Sequence, residues 1–216
     1  MYNLSSQNQM PNCHRETIEE SIQLRVWKIT ETEAELSQGL TLSPQALERL
    51  SQRRSAVHRK GYLAIRQLLK ELEIAPHMHQ YDSQGAPYLT DGRFLSISHT
   101  KDVAAVALSP TAVGVDLEHY QEKIIKIGPR FLHQNESADH QKATQMEYLT
   151  QIWTAKEALY KLYRKPGLHF NTQLCIAPFQ KNDAVGSGTV LDEQQTHRYQ
   201  LHYRYFEDFC LTLATP

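Results

Sequence analysis

The stretch LSISHTKDVAAVALSP at residues 95–110 has a counterpart of equal length at the end of the chain, LHYRYFEDFCLTLATP at residues 201–216. Each reads as a strand, a short polar turn with an aspartate at the same place (Asp102 and Asp208), an apolar strand and a Ser/Thr-Pro end. A long helical segment precedes each further upstream. Because hairpins resemble one another, the likeness alone does not establish a repeat. The simplest architecture is α+β, with two similar α+β halves forming a pseudo-dimer that divides near residue 111.

The flanking segments supply the other elements of each half. Alternating apolar and polar residues predict a strand over 22–29, and Ser43 as N-cap with Pro44 in the first turn predicts a helix start. Apolar spacing predicts longer helices over about 53–72 and about 148–163. The expected organisation is a flexible N-terminal arm at 1–20, an N-terminal α+β half at 21–111 and a C-terminal α+β half at 112–216.

Length and composition bound the class of protein. The chain has 216 residues, 40% of them hydrophobic, and a formal net charge of -1, which gives no global attraction to nucleic acid or membranes. The three cysteines are widely spaced without a C-x-x-C pair, which supports neither a zinc ribbon nor a disulfide framework. The sequence lacks a secretory signal pattern and any run approaching the roughly 20 apolar residues of a membrane span. We therefore expect a cytoplasmic protein with no membrane and no nucleic-acid partner.

The stretch VGVDLEHY at residues 113–120 places two carboxylates in an otherwise apolar strand. Successive side chains of a strand point to opposite faces, so Asp116 and Glu118 project to the same side, opposite Val115 and Leu117. Two like charges this close repel each other unless water or a cation intervenes. A half-buried strand with one wet face is the alternative interpretation.

Two further motifs carry polar side chains at defined spacing. In WTAKEALYK, residues 153–161, helical spacing makes Glu157 and Lys161 neighbours, and a solvated surface pair is the alternative. In SISHT, residues 96–100, Ser98 and His99 end a strand just before a turn. Neighbouring strand residues face opposite ways, so these two side chains are poorly placed to act as a nucleophile and its base.

Taken in order, these motifs resemble those of the 4′-phosphopantetheinyl transferases of the Sfp type. The resemblance covers roughly residues 24–216. Each motif alone is weakly specific, but five in this order and spacing are strongly specific. The matching segments are Gly85-Ala86-Pro87, 94–100, 114–118, 130–132 through Glu136, and 153–161.

The resemblance implies a reaction and its participants. Such enzymes move the phosphopantetheine arm of coenzyme A onto a serine of an apo acyl, peptidyl or aryl carrier protein and release adenosine 3′,5′-bisphosphate. Mg²⁺, the implied cofactor, favours hard oxygen ligands such as carboxylates, water and phosphate oxygens. Two fused halves supply within one chain the interface that smaller relatives build by oligomerising, so we expect a monomer.

The resemblance also assigns roles to the acidic residues and to one lysine. Asp116 and Glu157 are the expected metal ligands, and Glu118 is the third ligand or acts through water. Glu157 is also the candidate general base for the serine proton, directly or through water. Lys161 is expected to bind the pyrophosphate or the charge that develops on it, whereas Lys156 faces a different side of the helix.

Coenzyme A binding is expected to use basic residues and the Gly-Ala-Pro turn. In the family, basic residues from the helical region around 49–60 and from the Ser-His turn hold the 3′-phosphate, and the backbone of 85–88 lines the adenine. The expected coenzyme A contacts are Arg49, Gly85, Ala86, Pro87, Tyr88, Ser98, His99 and Lys161.

The sequence departs from the family pattern at two positions. Ala86 stands where the family often has a lysine, which removes one phosphate contact, and Pro166 stands where a glycine-rich turn is usual at the rim where the carrier docks.

One alternative is a degenerate relative that binds coenzyme A or a carrier without turnover, but the intact acidic set argues against it. The other, a metal-dependent phosphohydrolase, does not explain SISHT and WTAKEALYK together.

Overall fold

The computed structural model describes residues 13–137, 142–193 and 195–216. Four antiparallel strands of the N-terminal part form one sheet, and a short hairpin stands beside them. The elements of this part are β1 (Cys13–Ile18), β2 (Ile22–Lys28), α1 (Glu33–Ser37), α2 (Pro44–Ser51), α3 (Ala56–Glu71), β3 (His79–Tyr81), β4 (Pro87–Leu89), β5 (Phe94–His99) and β6 (Val103–Ser109). The order in the first sheet is β1-β2-β6-β5, and β3 pairs with β4.

The C-terminal part forms a second antiparallel sheet of five strands. Its elements are β7 (Gly114–His119), α4 (Lys123–Phe131), α5 (Met146–Tyr163), α6 (Phe170–Gln173), β8 (Leu174–Ile176), β9 (Val185–Leu191), β10 (Thr196–Tyr205) and β11 (Phe209–Thr215). The order in this sheet is β7-β11-β10-β9-β8. The edge strand β7 therefore begins the second sheet, just as β5 ends the first.

Three apolar clusters hold these layers together. One packs α3 against the first sheet, one packs α5 against the second, and a third lies between the two sheets. Strand β6 contributes to two of them because its side chains alternate between the faces of the sheet. This explains why VAAVALS is apolar on both faces. Ala104, Val106 and Leu108 face α3, whereas Val103, Ala105 and Ala107 face the second sheet.

The expected α+β fold class is confirmed, and both long helices form with slightly shifted ends. The helix predicted over 53–72 is Ala56–Glu71, and the one predicted over 148–163 is Met146–Tyr163. The division predicted near residue 111 falls in the short connection between β6 and β7 and stays a prediction. None of the helices in the described ranges combines the length and the apolar character needed to cross a bilayer.

The prediction of a flexible arm over 1–20 is wrong for the part of it that the structure describes. Residues 13–18 form β1, which pairs along its whole length with β2. This hairpin was not predicted because its turn lacks the glycine or asparagine that ordinarily indicates one. Glu19 and Glu20 occupy the turn instead, with left-handed φ angles of 49° and 61°. Residues 1–12 of the predicted arm lie outside the described residues.

Gly114, the first residue of β7, allows α5 to approach the strand closely. A Cβ atom there would lie 1.9 Å from the carbonyl oxygen of Ala158 and 2.8 Å from the amide nitrogen of Leu162. Helix backbone cannot move aside as a flexible side chain can, so a side chain at this position would force the two elements apart. This glycine therefore sets the separation between the strand and the helix that carry the predicted acidic residues.

We expect Gly114→Ala to lower the free energy of unfolding by about 3 kcal/mol or more, at the upper end of the cost of overpacking. Urea denaturation measures the change. Gly128→Ala is the matched control, because a Cβ there would meet the side chains of Leu149 at 3.5 Å and Leu132 at 3.8 Å, both ordinary contacts, and alanine favours the helix. An unfolding midpoint of Gly114→Ala equal to that of the parent would contradict the proposed close packing.

An ion pair ties β1 to the second sheet. Arg204 Nε on β10 donates to Glu16 Oε2 at 2.8 Å, and Arg204 Nη2 donates to the other oxygen of the same carboxylate. The hydrogen bond from Arg204 lowers the pKa of Glu16 to about 2, with a smaller contribution from His14, although burial opposes the shift. The carboxylate is thus held in its charged form by its neighbours.

The lowered pKa predicts how stability depends on pH. Because the pKa of Glu16 is lowered by folding, its contribution is complete above the ordinary glutamate value of 4.5 and is lost as the pH falls towards 2. Glu16→Gln should cost about 1 kcal/mol at pH 7, since the pair is partly exposed, and almost nothing near pH 2. Urea unfolding across this range tests it, with Glu20→Gln in the adjacent turn as control. A cost that stays constant with pH would rule out this linkage.

Candidate active site

Asp116 and Glu118 face α5, as their parity on the strand predicts. Val115 and Leu117 belong to the cluster between the two sheets, so the alternate residues of β7 point to the opposite side. Asp116 is buried, with 6% of its surface exposed, whereas Glu118 is half-buried. The wet-face alternative therefore does not describe Asp116.

One oxygen of Asp116 has two hydrogen-bond donors, and the other has none. Asp116 Oδ1 accepts from Ser98 Oγ at 2.8 Å and from Lys161 Nζ at 2.7 Å. Asp116 Oδ2 is buried and has no hydrogen-bond partner among the described residues. A buried carboxylate oxygen without a donor is costly, so the arrangement leaves its lone pairs available for a ligand.

Glu157 on α5 brings a third carboxylate to the same space. Burial raises the pKa of Glu157 to about 7, with a further contribution from the negative charge of Asp116 and a smaller one from Glu118. Burial and then Asp116 likewise raise the pKa of Glu118. The structure thus brings the acidic trio of Asp116, Glu118 and Glu157 close enough for the negative charge of Asp116 to raise the pKa of both glutamates.

The acidic trio is more open than a closed metal cage. Its oxygens do not all lie within 4.8 Å of one another; among the described residues, the group that meets this spacing is Asp102, His119 and Asp208. Lys161 forms an ion pair with Asp116 but the three carboxylates still repel one another, which favours such a spread arrangement. Hard oxygen donors and the unpartnered Asp116 Oδ2 nevertheless fit a hard divalent cation in chemical type.

Lys161 is fixed beside Asp116 by three hydrogen bonds. Besides its 2.7 Å bond to Asp116, its ammonium group donates to the carbonyl oxygens of Val115 at 3.0 Å and Ile97 at 3.3 Å. All three of its donors therefore have acceptors, and a phosphate contact would have to replace one of them. Its positive charge opposes the rise in the pKa of Glu157.

Ser96 and Ser98 connect β5 to β7. Ser96 Oγ accepts from the amide of Val115 at 2.9 Å, and Ser98 Oγ accepts from the amide of Leu117 at 3.4 Å while donating to Asp116. Ser98 therefore positions the Asp116 carboxylate. This role was not predicted, although the two serines alternate along one face of the strand and so could have indicated it.

A cavity of about 250 Å³ opens between the two parts of the chain, and we call it the inter-half cavity. Gly85, Ala86, Pro87 and Lys161, all predicted coenzyme A contacts, line it together with Arg164. Arg164 Nη2 donates to the carbonyl oxygen of Pro87 at 2.8 Å, which joins the end of α5 to the Gly-Ala-Pro turn. The structure therefore brings half of the predicted coenzyme A contacts to one space.

His99 lies in a basic cluster beside α3. A Cβ on Gly61 would lie 3.0 Å from the ring nitrogen of His99, so the glycine makes room for the imidazole. The ring of His58 lies 6.2 Å from that of His99. Burial lowers the pKa of His99, with smaller contributions from His58, Arg53 and Lys161. Arg53 and Lys161 therefore bring positive charge near His99, and Lys161 also lines the inter-half cavity.

The other predicted coenzyme A contacts do not line the inter-half cavity. Ser98 is bonded to Asp116, and Tyr88 is exposed on β4. Arg49 stacks on the ring of Tyr81, with its guanidinium carbon 3.9 Å from the ring centroid, and lines a separate cavity in the N-terminal part. The contribution of these three residues to coenzyme A binding stays a prediction.

Lys156, next to Glu157 in sequence, is completely buried. Its ammonium group donates to the carbonyl oxygens of Phe131, Phe170 and Leu174 at 2.7–2.9 Å. It also lies 2.7 Å from Glu136 Oε2 in a buried ion pair. This lysine therefore holds three segments of backbone on the side of α5 away from the acidic trio.

Glu136 completes the buried ion pair from the other side. Its carboxylate accepts from the backbone amides of His133 and Ile176, both at 2.7 Å. Paired charges with all hydrogen bonds satisfied are the form in which ions are tolerated in a protein interior. The glutamate at the end of the 130–136 motif and the first lysine of WTAKEALYK are thus one structural unit, which sequence reasoning missed.

An open groove of about 600 Å³ lies on the other side of Glu157. Its walls include the aromatic side chains Trp153, Tyr160 and Phe170, together with Arg130. We call it the aromatic groove. Glu157 therefore lies between the other two carboxylates, Asp116 and Glu118, and an open, largely apolar surface.

Comparison with known families now identifies the class of protein. The model of the 4′-phosphopantetheinyl transferase N-terminal domain matches residues 43–109, and that of the 4′-phosphopantetheinyl transferase superfamily matches residues 112–214. Together the two models match nearly all of 43–214. The chain belongs to the 4′-phosphopantetheinyl transferase superfamily.

A curated relative is more specific. The chain is 30% identical over 111 residues to the 4′-phosphopantetheinyl transferase gsp of Aneurinibacillus migulanus. The match covers 49% of this chain and 47% of the relative, so it extends over about half the length of that protein. It supports the Sfp type that the motifs predicted.

We expect Lys156→Met to destabilise the fold by about 3–5 kcal/mol, because it leaves the buried Glu136 carboxylate without its counter-charge. The double variant Lys156→Met/Glu136→Gln should lose less than the sum of the single changes. Urea unfolding measures both, with the exposed Lys165→Met as control. A Lys156→Met protein as stable as the parent would refute the structural role.

Proposed function

We propose that the chain transfers the 4′-phosphopantetheine arm of coenzyme A to a serine of an apo carrier protein, with Mg²⁺, and releases adenosine 3′,5′-bisphosphate. The observation that carries the proposal is the buried Asp116 Oδ2 atom, which has no hydrogen-bond partner among the described residues. This buried carboxylate has an unpartnered Oδ2 and faces two further carboxylates beside the inter-half cavity. Such a site suits a substrate that brings phosphate groups and a cation together.

The acidic trio would hold the cation. Asp116 and Glu157 are the proposed direct ligands, and Glu118 is the third ligand or contributes through water. When bound, the cation would neutralise anionic charge on the diphosphate of coenzyme A. Ser98 and Lys161 fix Asp116 Oδ1, so the free Oδ2 is the atom offered for ligation.

The inter-half cavity is the proposed coenzyme A site. The Gly85–Pro87 turn would line the adenine, while Lys161 and Arg164 supply positive charge along the same walls. Ala86 stands where the family often has a lysine, and Arg164 supplies a positive charge on the same cavity wall. The 3′-phosphate would bind at His99 with its neighbours Arg53 and His58, and Tyr88 and Ser98 keep their predicted contributions. Arg49 lines a separate cavity, so its predicted contribution is the least supported by geometry.

The transfer step needs a base and an acceptor. The serine oxygen of the carrier forms a bond to the phosphorus that carries pantetheine, and the bond from that phosphorus to the bridging oxygen breaks. The electron pair leaves with adenosine 3′,5′-bisphosphate, and the serine proton passes to Glu157, directly or through water. Glu157 suits this role because it lies between Asp116 and Glu118 on one side and the aromatic groove on the other.

The aromatic groove is the proposed approach for the carrier. It is open, largely apolar and adjoins Glu157, so a serine presented along it would reach the acidic trio. The partner is an apo acyl, peptidyl or aryl carrier protein. The shared core between the two sheets supports a monomer, and the free thiols of Cys175 and Cys210 suit the reducing cytoplasm that we propose as its location.

Two other functions remain distinguishable by experiment. A protein that only binds coenzyme A or a carrier would not need a buried carboxylate with an unpartnered oxygen. A metal-dependent phosphohydrolase would use the trio but would have no use for the aromatic groove beside Glu157. The family comparisons favour transfer over both.

We expect Asp116→Asn and Glu157→Gln each to lower the transfer rate at least about a hundredfold, because each removes a charge that the phosphoryl transfer requires. The purified protein is incubated with coenzyme A, Mg²⁺ and a panel of apo carrier proteins, and mass spectrometry detects the added arm. Chelation of divalent cations should abolish transfer, and added Mg²⁺ should restore it.

Glu147→Gln, an exposed change in the first turn of the same helix, is the matched control and should leave the rate unchanged. Undiminished transfer by folded Asp116→Asn or Glu157→Gln would refute the assigned roles. Hydrolysis of coenzyme A with an unmodified carrier would favour the phosphohydrolase. Binding of both substrates without either reaction would favour the binding protein.

A further inference from the structure

A second cavity, of about 180 Å³, lies wholly within the N-terminal part of the chain. The loop before α2, the helices α2 and α3, and strand β3 enclose it, and we call it the N-terminal cavity. Leu40, Leu42, Leu69 and Ile74 supply apolar wall. The cavity is therefore separate in its lining from the inter-half cavity, with which it shares no residue.

Buried polar atoms without partners are concentrated around this cavity. Tyr62 Oη, Arg66 Nη1 and His79 Nε2 each lack a hydrogen-bond partner among the described residues, and all three residues line the cavity. Their exposed fractions are only 2%, 8% and 6%. Unsatisfied buried groups are rare in native proteins, so three around one space call for an explanation.

The charge of the cavity wall is one-sided. Arg49 and Arg66 both line it, and no aspartate or glutamate in the described part of the chain does. Arg66 lies 3.8 Å above the Tyr62 ring and donates to Tyr81 Oη at 3.3 Å, but neither contact supplies a negative charge. A buried guanidinium ordinarily has an anionic partner, because an unpaired charge is costly away from water.

His79 lies among the same positive charges but carries no charge of its own near pH 7. Burial lowers the pKa of His79 to about 3, with further contributions from the positive charges of Arg66 and Arg49. The imidazole is therefore neutral near pH 7, and its free Nε2 can take part in one hydrogen bond. The positive charges that an occupant would meet are those of Arg49 and Arg66, together with Lys70, whose ammonium group also donates to the carbonyl oxygen of Gly39 at 2.8 Å.

We propose that the N-terminal cavity binds a small molecule that combines one oxyanion, a carboxylate or a phosphate, with a short apolar body. Arg66 Nη1 is the central donor for the oxyanion, supported by Arg49 and Tyr62 Oη, and the leucine and isoleucine side chains contact the apolar body. The planar fork of arginine matches both oxyanions. The occupant is distinct from coenzyme A, because the proposed coenzyme A cavity has a separate lining, and Arg49 is assigned here to the occupant instead of to coenzyme A.

The experiment uses the full chain with butyrate and butyl phosphate as probes, and isothermal titration calorimetry first without coenzyme A and then with saturating coenzyme A. Both probes should bind with one site per chain, and the tighter one identifies the preferred oxyanion. Butanol and inorganic phosphate, which each carry only half of the recognised chemistry, should bind more weakly. Arg66→Met should weaken the better probe at least about tenfold, the size of a lost charge-assisted hydrogen bond.

Further variants guard against loss of folding and against a general charge effect. Arg49→Gln, on a half-buried residue, should also weaken binding if Arg66→Met does not fold. Arg198→Gln, on the exposed face of β10, should leave it unchanged. Absence of binding by both probes, binding that resists both cavity variants, or displacement of the probe by coenzyme A would overturn the proposal. Displacement would assign Arg49 and Arg66 to coenzyme A instead.

Discussion

The Asp116 carboxylate is the point on which both the fold and the site depend. Its Oδ1 accepts from Ser98 of the first sheet and from Lys161 of α5, while its own strand is the edge of the second sheet. Three separate elements therefore converge on one buried oxygen. A change in the packing of the two sheets would move the donors away from that oxygen, so the geometry of the site and the union of the two halves are the same constraint.

The edges of the two sheets meet through side chains. Ser96 and Ser98 of β5 accept from backbone amides of β7, and Lys161 donates to a carbonyl oxygen on each strand. Hydroxyl and ammonium groups thus satisfy backbone atoms that an edge strand would otherwise leave without partners. Because these groups span the junction, the two sheets come together without merging into one, and the inter-half cavity lies beside this junction.

Local periodicity predicted much of this architecture. The two-residue repeat of the strand was enough to place Asp116 and Glu118 on one side of β7. The likeness between residues 95–110 and 201–216 also pointed to two corresponding turns. The aspartates of these turns, Asp102 and Asp208, both contact His119 at the end of β7. Sequence reasoning failed where the decisive partners lie far apart in the chain. The ion pair of Lys156 with Glu136 is an example, since neither residue stands in a pattern that identifies the other.

Lys156 and Glu157 show how adjacent residues of one helix can serve the structure and the proposed chemistry. Successive residues of an α-helix are rotated by about 100° about its axis, so neighbours in sequence face different surroundings. Lys156 is fixed on the inner side by three carbonyl oxygens and Glu136, and this fixes the rotation of α5 about its axis. Gly114 fixes the distance of the helix from β7. Since rotation and distance are both set by contacts outside the acidic trio, Glu157 is held facing Asp116 even though the carboxylates repel each other.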